Sequence, residues 1–107
     1  MEKRIQDELN ILIGIIVDTV PVEQIFLFGS FAGGTPSVDS DLDIYVVIPE
    51  ETDIREIDAM KLIRKAIRSI KTMPVDVIVS KENKFNQRKS VPSIERQIVQ
   101  EGIVLYG

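Results

Sequence analysis

The sequence contains no cysteine and no histidine. The first absence excludes disulfide bonds and thiolate-ligated zinc, and the second excludes histidine-based catalytic triads and histidine-ligated metal sites. Long apolar runs are missing too, because the longest, residues 11–17, is far too short to span a bilayer. Carboxylates, hydroxyls and lysines are the groups that remain for chemistry.

Length and charge narrow the class of protein. The chain has 107 residues, which predicts one domain over residues 1–107 with a single core. It carries 17 acidic and 13 basic residues, a net charge of -4 at pH 7, so charge alone would not hold a nucleic acid. Residues 2–4 are charged and lead into an amphipathic segment instead of a signal peptide, so we expect a cytoplasmic protein without a membrane partner.

The most informative stretch is residues 26–48. Residues 26–28 are apolar and predict a buried strand that ends at Gly29, where the chain turns sharply. Ser30 is a preferred N-cap, and the short helix after it would offer free backbone N–H groups to a phosphate. The two glycines at residues 33–34 should stop that helix after about one turn.

Asp41 and Asp43 stand at the entrance of the next apolar run, residues 44–48. Residues two apart on a strand project from the same face, about 6.6 Å apart. At an effective dielectric of about 20, the repulsion between two carboxylates there is on the order of 2–3 kcal/mol. A divalent cation bound between the two carboxylates would replace this repulsion with attraction. Oxygen ligands select hard cations such as Mg²⁺. The alternative is that both aspartates are solvated residues of the loop and strand start.

A third aspartate, Asp76, interrupts the β-branched run of residues 75–79, which is typical of a strand covered on both faces. An ionised group there is costly unless it is paired or bound to a metal, and the run contains no Lys or Arg. The alternative places Asp76 at an exposed strand end after Pro74. Three aspartates on two strands, beside a Gly-Ser helix start, make a coherent site for a metal-chelated triphosphate.

The other segments predict helices packed on the sheet. Helical spacing of apolar residues predicts an amphipathic helix over residues 2–18. Asp53 and Glu56 have the spacing of a capping box, and the apolar repeat after them predicts a helix to about residue 70. A loop with at most a helical turn should follow the Asp76 strand, over residues 81–92.

The C-terminal segment predicts a last helix and strand, and the second helix carries a run of basic residues. Ser93 should cap a short helix over residues 94–101, and a last strand should follow over residues 103–105. The second half of the second helix carries basic residues with no acid among them. These basic residues predict either a solvated face or a contact surface for an acidic partner or RNA. The set consists of Lys61, Arg64, Lys65, Arg68 and Lys71.

Gly29 and Ser30, followed by Asp41 and Asp43 and then by Asp76 in a later strand, resemble the minimal nucleotidyltransferase (MNT) domains of the DNA polymerase β superfamily. The resemblance covers nearly the whole chain. It implies an α/β (α+β) nucleotidyltransferase fold with a mixed, mostly antiparallel sheet of about four strands and helices packed on it. The chain departs from the family at Gly33, where an Arg or Lys is common.

The resemblance also implies an activity: transfer of a nucleoside monophosphate from a nucleoside triphosphate, with ATP expected as the donor, to a hydroxyl acceptor. Asp41 and Asp43 would ligate two Mg²⁺ ions, and Asp76 would hold the ion that activates the acceptor. Gly29 and Ser30 would cradle the β- and γ-phosphates.

Small members of this superfamily often accompany a helical HEPN-type toxin, and some inactivate it by transferring AMP to a tyrosine. The resemblance therefore implies an antitoxin with a HEPN-type protein as its partner and acceptor. The alternative is a non-catalytic binding module that masks a partner by forming a complex. The sequence leaves a homo-oligomer possible and does not identify the nucleotide.

Overall fold

The computed structural model describes residues 2–37 and 40–107. Within them, helices and strands follow one another along the chain as α1 (Lys3–Thr19), β1 (Gln24–Phe28), β2 (Leu42–Ile48), α2 (Glu56–Ile67), β3 (Val75–Lys81), α3 (Glu82–Arg88), α4 (Ile94–Glu101) and β4 (Ile103–Tyr106). None of the helices in these two ranges is long and apolar enough to cross a membrane.

The strands form one mixed sheet in the order β3-β2-β1-β4. β1 is antiparallel to both β2 and β4, whereas β2 and β3 are parallel. The predicted four-stranded, mostly antiparallel sheet is confirmed. β2 lies inside the sheet, which explains why nearly all of its side chains are buried.

One face of the sheet is covered by α1 and α2. The apolar residues of α1 that point to the sheet recur at helical spacing, and they are Ile5, Leu9, Leu12 and Ile16. α2 contributes Ala59, Ile63 and Ile67 to the same core. Burial of each large side chain stabilises the fold by roughly 1.5–3 kcal/mol, so this face holds most of the apolar driving force.

A smaller cluster on the opposite face places α3 and α4 against the sheet. It consists of Phe26, Tyr45, Val47, Phe85 and Ile98. Because side chains alternate along a strand, Asp43 projects to this same face, two residues before Tyr45. The α3/α4 face is therefore the one that carries the candidate site.

Two boundaries of α2 differ from the predicted ones. The helix begins at Glu56 with Arg55 as its N-cap residue, so the capping box on Asp53 is wrong. The reason is that the Glu56 carboxylate accepts the backbone N–H of Lys81 in β3, at 2.8 Å, and is not available to cap its own helix. The helix ends at Ile67 because the amides of Ile70 and Lys71 both donate to the Ile67 carbonyl in a closing turn.

The segment predicted as a loop over residues 81–92 contains α3. Its one buried residue, Phe85, stacks on Phe26 with ring centroids 5.5 Å apart, and this contact explains why a polar segment becomes a helix. The last helix and strand are as predicted, with the Ser93 hydroxyl accepting the amide of Arg96 at 3.1 Å.

A buried polar network joins α4 to the centre of the sheet. The Tyr45 hydroxyl donates to Glu95 Oε2 at 2.8 Å, and Arg88 Nε donates to Glu95 Oε1 at 2.7 Å. Burial acts to raise the pKa of Glu95, but the bonds from Arg88 and Tyr45 outweigh it and leave that pKa below its usual range. Glu95 is therefore a buried carboxylate that stays ionised because both of its oxygens have donors.

We predict that Glu95→Gln lowers the free energy of unfolding by about 1–3 kcal/mol at neutral pH, because a charge-assisted network becomes neutral. Since the folded-state pKa is depressed, the Glu95 contribution is present above the unfolded-state pKa and disappears as the pH falls through the folded-state pKa. Urea unfolding of wild type and variant, from neutral pH down to acid pH, measures this contribution to the free energy of unfolding. The control is Glu51→Gln, at an exposed position. If Glu95→Gln still has a lower free energy of unfolding than wild type at low pH, the ionised state assigned to Glu95 is wrong.

Candidate active site

Asp43 and Asp76 meet at the parallel pairing of β2 with β3. They are register partners in adjacent strands, whose backbones lie about 4.8 Å apart, so their carboxylates point to the same face of the sheet. Asp41 precedes β2 by one residue. The structure thus brings the three predicted aspartates to one end of the sheet, where β1 ends and β2 and β3 begin.

The charges of Asp76 and Asp41 act on the Asp43 carboxylate. Its side chain is half-buried, whereas Asp41 and Asp76 are exposed. Burial raises the pKa of Asp43, and the charges of Asp76 and Asp41 raise it further. This corner of the molecule therefore carries concentrated negative charge, which favours binding of a cation.

Gly29 lies directly against Asp43. Its φ of 75° is in the left-handed region, and a β-carbon at this position would overlap Oδ2 of the Asp43 carboxylate. Only a residue without a side chain lets the end of β1 turn this closely past the carboxylate. The turn predicted at Gly29 is confirmed, and its close approach to Asp43 was not foreseen.

The segment after Gly29 makes the single turn that was predicted, but it is too short to be a helix, and Gly29 stands where Ser30 was expected as the cap. The amide of Gly33 donates to the Gly29 carbonyl and the amide of Thr35 to the Ser30 carbonyl, both at 3.0 Å. Gly34, with a φ of 75°, then takes the chain out of helical geometry before a second turn can form. The amides of residues 30–32 donate to no acceptor in the described part of the chain, so they stay available to an anion.

A cavity of about 410 Å³ opens beside this turn. One wall comes from the end of β1 and the turn and includes Gly29, Ser30 and Gly33; the other comes from α4 and includes Gln97 and Glu101. Gly33, where the family commonly has a basic residue, lines the cavity without a side chain. Backbone N–H groups and the hydroxyls of Ser30 and Thr35 are thus the donors that this wall offers to a phosphate.

Arg64 of α2 is a site residue that the sequence did not indicate. Its guanidinium lies 3.7 Å from Asp76 Oδ1, and the two side chains are 51% and 60% exposed. The strand run around Asp76 contains no Lys or Arg before Lys81, and Arg64 comes from a helix twelve residues before Asp76. An exposed pair of this kind contributes at most about 1 kcal/mol, so Asp76 can exchange Arg64 for another partner.

The donor chemistry fits a hard divalent cation, since all three aspartates offer carboxylate oxygens. Gly29 clears the space around the Asp43 carboxylate. In residues 2–37 and 40–107, no three acidic side chains are arranged as a finished metal site. Asp41, Asp43 and Asp76 would hold the ion only after their carboxylates turn toward it.

The chain belongs to the nucleotidyltransferase domain family, whose sequence model matches residues 9–105. A proposed nucleotidyltransferase from Sulfolobus solfataricus shares the fold, with a TM-score of 0.62 and 22% identity over 94% of this chain and 78% of that one.

Two toxin–antitoxin structures are similar as well. One was crystallised with AMP-PNP (TM-score 0.64, 26% identity, 92% of this chain and 73% of that one), and one is a mutant of the MntA–HpeT complex (TM-score 0.66, 25% identity, the same coverage). A search of curated proteins found no match. The predicted family and fold are confirmed.

We predict that Gly29→Ala both destabilises the fold and displaces the Asp43 carboxylate. Gly34→Ala is a matched control, because Gly34 has the same φ of 75° but no atom within 4 Å of an added β-carbon. The left-handed backbone alone should cost each variant about 1–2 kcal/mol. Urea unfolding should show a larger loss of stability in Gly29→Ala than in Gly34→Ala. Mg²⁺ titration should show loss of cation binding in Gly29→Ala only. Equal behaviour of the two variants would contradict the close contact.

Proposed function

We propose that this chain transfers AMP from ATP to a hydroxyl group of a protein partner and thereby acts as an antitoxin. Membership of the nucleotidyltransferase family supports the transfer chemistry. The similar toxin–antitoxin structures, one of them with AMP-PNP, support the nucleotide and the type of assembly. A HEPN-type helical protein with a tyrosine acceptor is the partner that the resemblance of the sequence motifs implies.

The observation that carries the proposal is the position of Asp43. Its carboxylate lies between Asp76 in the neighbouring strand and the left-handed Gly29 at the end of β1, with Asp41 near enough to influence its pKa. A surface acid with a purely structural role requires none of these three neighbours. A charge concentrated in this way suits a chelated triphosphate, because the turn beside it has amides that donate to no acceptor among the described residues.

Each site residue has a proposed role. Asp41, Asp43 and Asp76 would hold the cations, and the amides of Gly29 and Ser30 would donate to the β- and γ-phosphate oxygens. Two Mg²⁺ ions, when bound, would neutralise charge on the phosphates and lower the pKa of the acceptor hydroxyl. The remaining work of the protein is alignment of donor and acceptor.

The transfer step conserves atoms and charge. The acceptor oxygen forms a bond to the α-phosphorus while the bond from that phosphorus to the α,β-bridging oxygen breaks, and pyrophosphate leaves with the bonding electrons. The acceptor proton passes to the Asp76 carboxylate, which is exposed and can release it to solvent. The products are the AMP ester of the acceptor and pyrophosphate.

We predict that Asp43→Asn abolishes Mg²⁺-dependent ATP binding and lowers transfer on the order of 100-fold or more, since a preorganised charge is lost. The same change should leave the folded state as stable as wild type or more so, because it relieves repulsion with Asp76 and Asp41. Calorimetric titration with MgATP, with EDTA added in a parallel run, measures binding, and urea unfolding measures stability. Asp53→Asn, an exposed acid between β2 and α2, is the control.

The partner distinguishes this enzyme from the binding module. An enzyme with Asp43→Asn leaves no AMP mass increment on the toxin and no longer neutralises it catalytically. If the variant still modifies the partner at the wild-type rate, the proposed mechanism is wrong. If the variant and the wild type both bind and neutralise the partner without modifying it, the chain is the non-catalytic binding module instead.

A further inference from the structure

The two walls of the cavity beside Gly29 differ in charge. The wall formed by the turn offers the hydroxyls of Ser30 and Thr35 and the amides of residues 30–32, and it carries no acidic side chain. The α4 wall carries Glu101, the one charged side chain among the described residues that line the cavity. Because a carboxylate repels phosphate, the α4 wall suits an uncharged part of a ligand.

One face of α4 forms this second wall. Ile94, Gln97, Ile98 and Glu101 lie three and four residues apart, so their side chains follow one another in a single stripe. Ile98 is buried, whereas Ile94 is 39% exposed, and Phe28 of β1 adds a third apolar side chain to the lining. A mostly apolar lining with two polar side chains suits a flat heterocycle such as a nucleobase.

The position of Glu101 is not explained by the stability of its own helix. It lies in the last turn of α4, where the helix dipole disfavours an acid, and that turn contains no basic residue. The backbone there is held against β1, since a β-carbon added at Gly102 would lie 3.0 Å from the Leu27 carbonyl oxygen. Glu101 is therefore fixed close to the strand end that leads into the turn at Gly29.

Glu101 also sets the orientation of a neighbouring amide. Gln97 Nε2 donates to Glu101 Oε2 at 3.3 Å. Turning the Gln97 amide over would bring its Oε1 against the carboxylate, and two acceptors would then face each other. The favoured orientation leaves Oε1 as an acceptor, and the second hydrogen of Nε2 as a donor, for a molecule in the cavity.

Adenine presents the pattern that this amide recognises. Its N6 amino group donates and its N7 accepts, and a glutamine amide can pair with both. A purine with an oxygen at position 6 would instead place an acceptor against Oε1 of Gln97. That mismatch leaves both oxygens without a donor, which is the kind of penalty that polar sites use to reject a wrong ligand.

We infer that the α4 wall binds the nucleoside of the donor triphosphate and that Gln97 selects adenine, with Glu101 as the positioning residue that orients the Gln97 amide. The phosphates extend along the opposite wall, where the turn supplies their donors. The inference rests on the proposed function and adds to it the residue that distinguishes ATP from other purine nucleotides.

Calorimetric titration of the full chain with MgATP and with MgITP tests the role of Gln97. ITP has the same ring size and the same N7 as ATP, but it carries an oxygen in place of the N6 amino group. Wild type should bind MgATP about tenfold more tightly than MgITP. Gln97→Ala should bind the two nucleotides nearly equally. The control is Gln100→Ala, on the same helix but outside the cavity, which should keep the wild-type ratio.

Glu101→Gln tests the positioning role. A neutral side chain at this position pairs with either orientation of the Gln97 amide, so MgITP should bind nearly as tightly as MgATP. A purely structural role for Glu101 would change the affinities for both nucleotides together and leave their ratio at the wild-type value. That result would contradict the positioning role.

Equal binding of MgATP and MgITP by the wild type, or a wild-type ratio in Gln97→Ala, would overturn the inference and leave the proposed function standing. Absence of binding by both nucleotides would refute the nucleotide donor of the proposed function itself. Asp43→Asn separates the two claims, because it should lose both nucleotides equally, whereas the α4 variants should change the ratio between them.

Discussion

Asp43 and Asp76 face each other across the parallel pairing of β2 with β3, and every feature of the candidate site is placed relative to that pair. The pairing is held in register by hydrophobic burial on both faces, since the β2 residues after Asp43 are all buried. A slip of one residue would send Asp43 to the face covered by α1 and α2, among apolar side chains. The core thus forces together two like charges that would separate if the strands were free.

Gly29 and the Tyr45–Glu95–Arg88 network build the rest of the site around the Asp43/Asp76 pair. Gly29 ends β1 with a left-handed residue whose missing side chain makes room for the Asp43 carboxylate. The network of Tyr45, Glu95 and Arg88 fixes α4 to the sheet two residues along β2 from Asp43, and α4 forms the far wall of the cavity. The carboxylate repulsion, an unfavourable term, is concentrated where the chemistry is proposed, and well-packed apolar clusters offset it.

The sequence predicted features that depend on local patterns. Alternating and continuous apolar runs placed β1, β2 and β3, helical spacing placed α1, and the Ser93 cap placed α4. The family motifs supplied strand directions, which no periodicity contains. Failures came where tertiary contacts override local preference: Glu56 binds the amide of Lys81 instead of capping α2, and Phe85 draws a polar segment into α3. The Arg64–Asp76 pair joins two elements whose proximity follows only from the fold.

The central proposal is that Asp41, Asp43 and Asp76 together bind divalent cations at the end of the sheet. Paramagnetic broadening by Mn²⁺, which occupies the same oxygen sites as Mg²⁺, tests it most directly through the backbone amide signals of the chain. With AMP-PNP present, the signals of Gly29, Asp43 and Asp76 should broaden first, at substoichiometric Mn²⁺. Broadening that begins elsewhere, or that is uniform over the acidic surface, would contradict the claim.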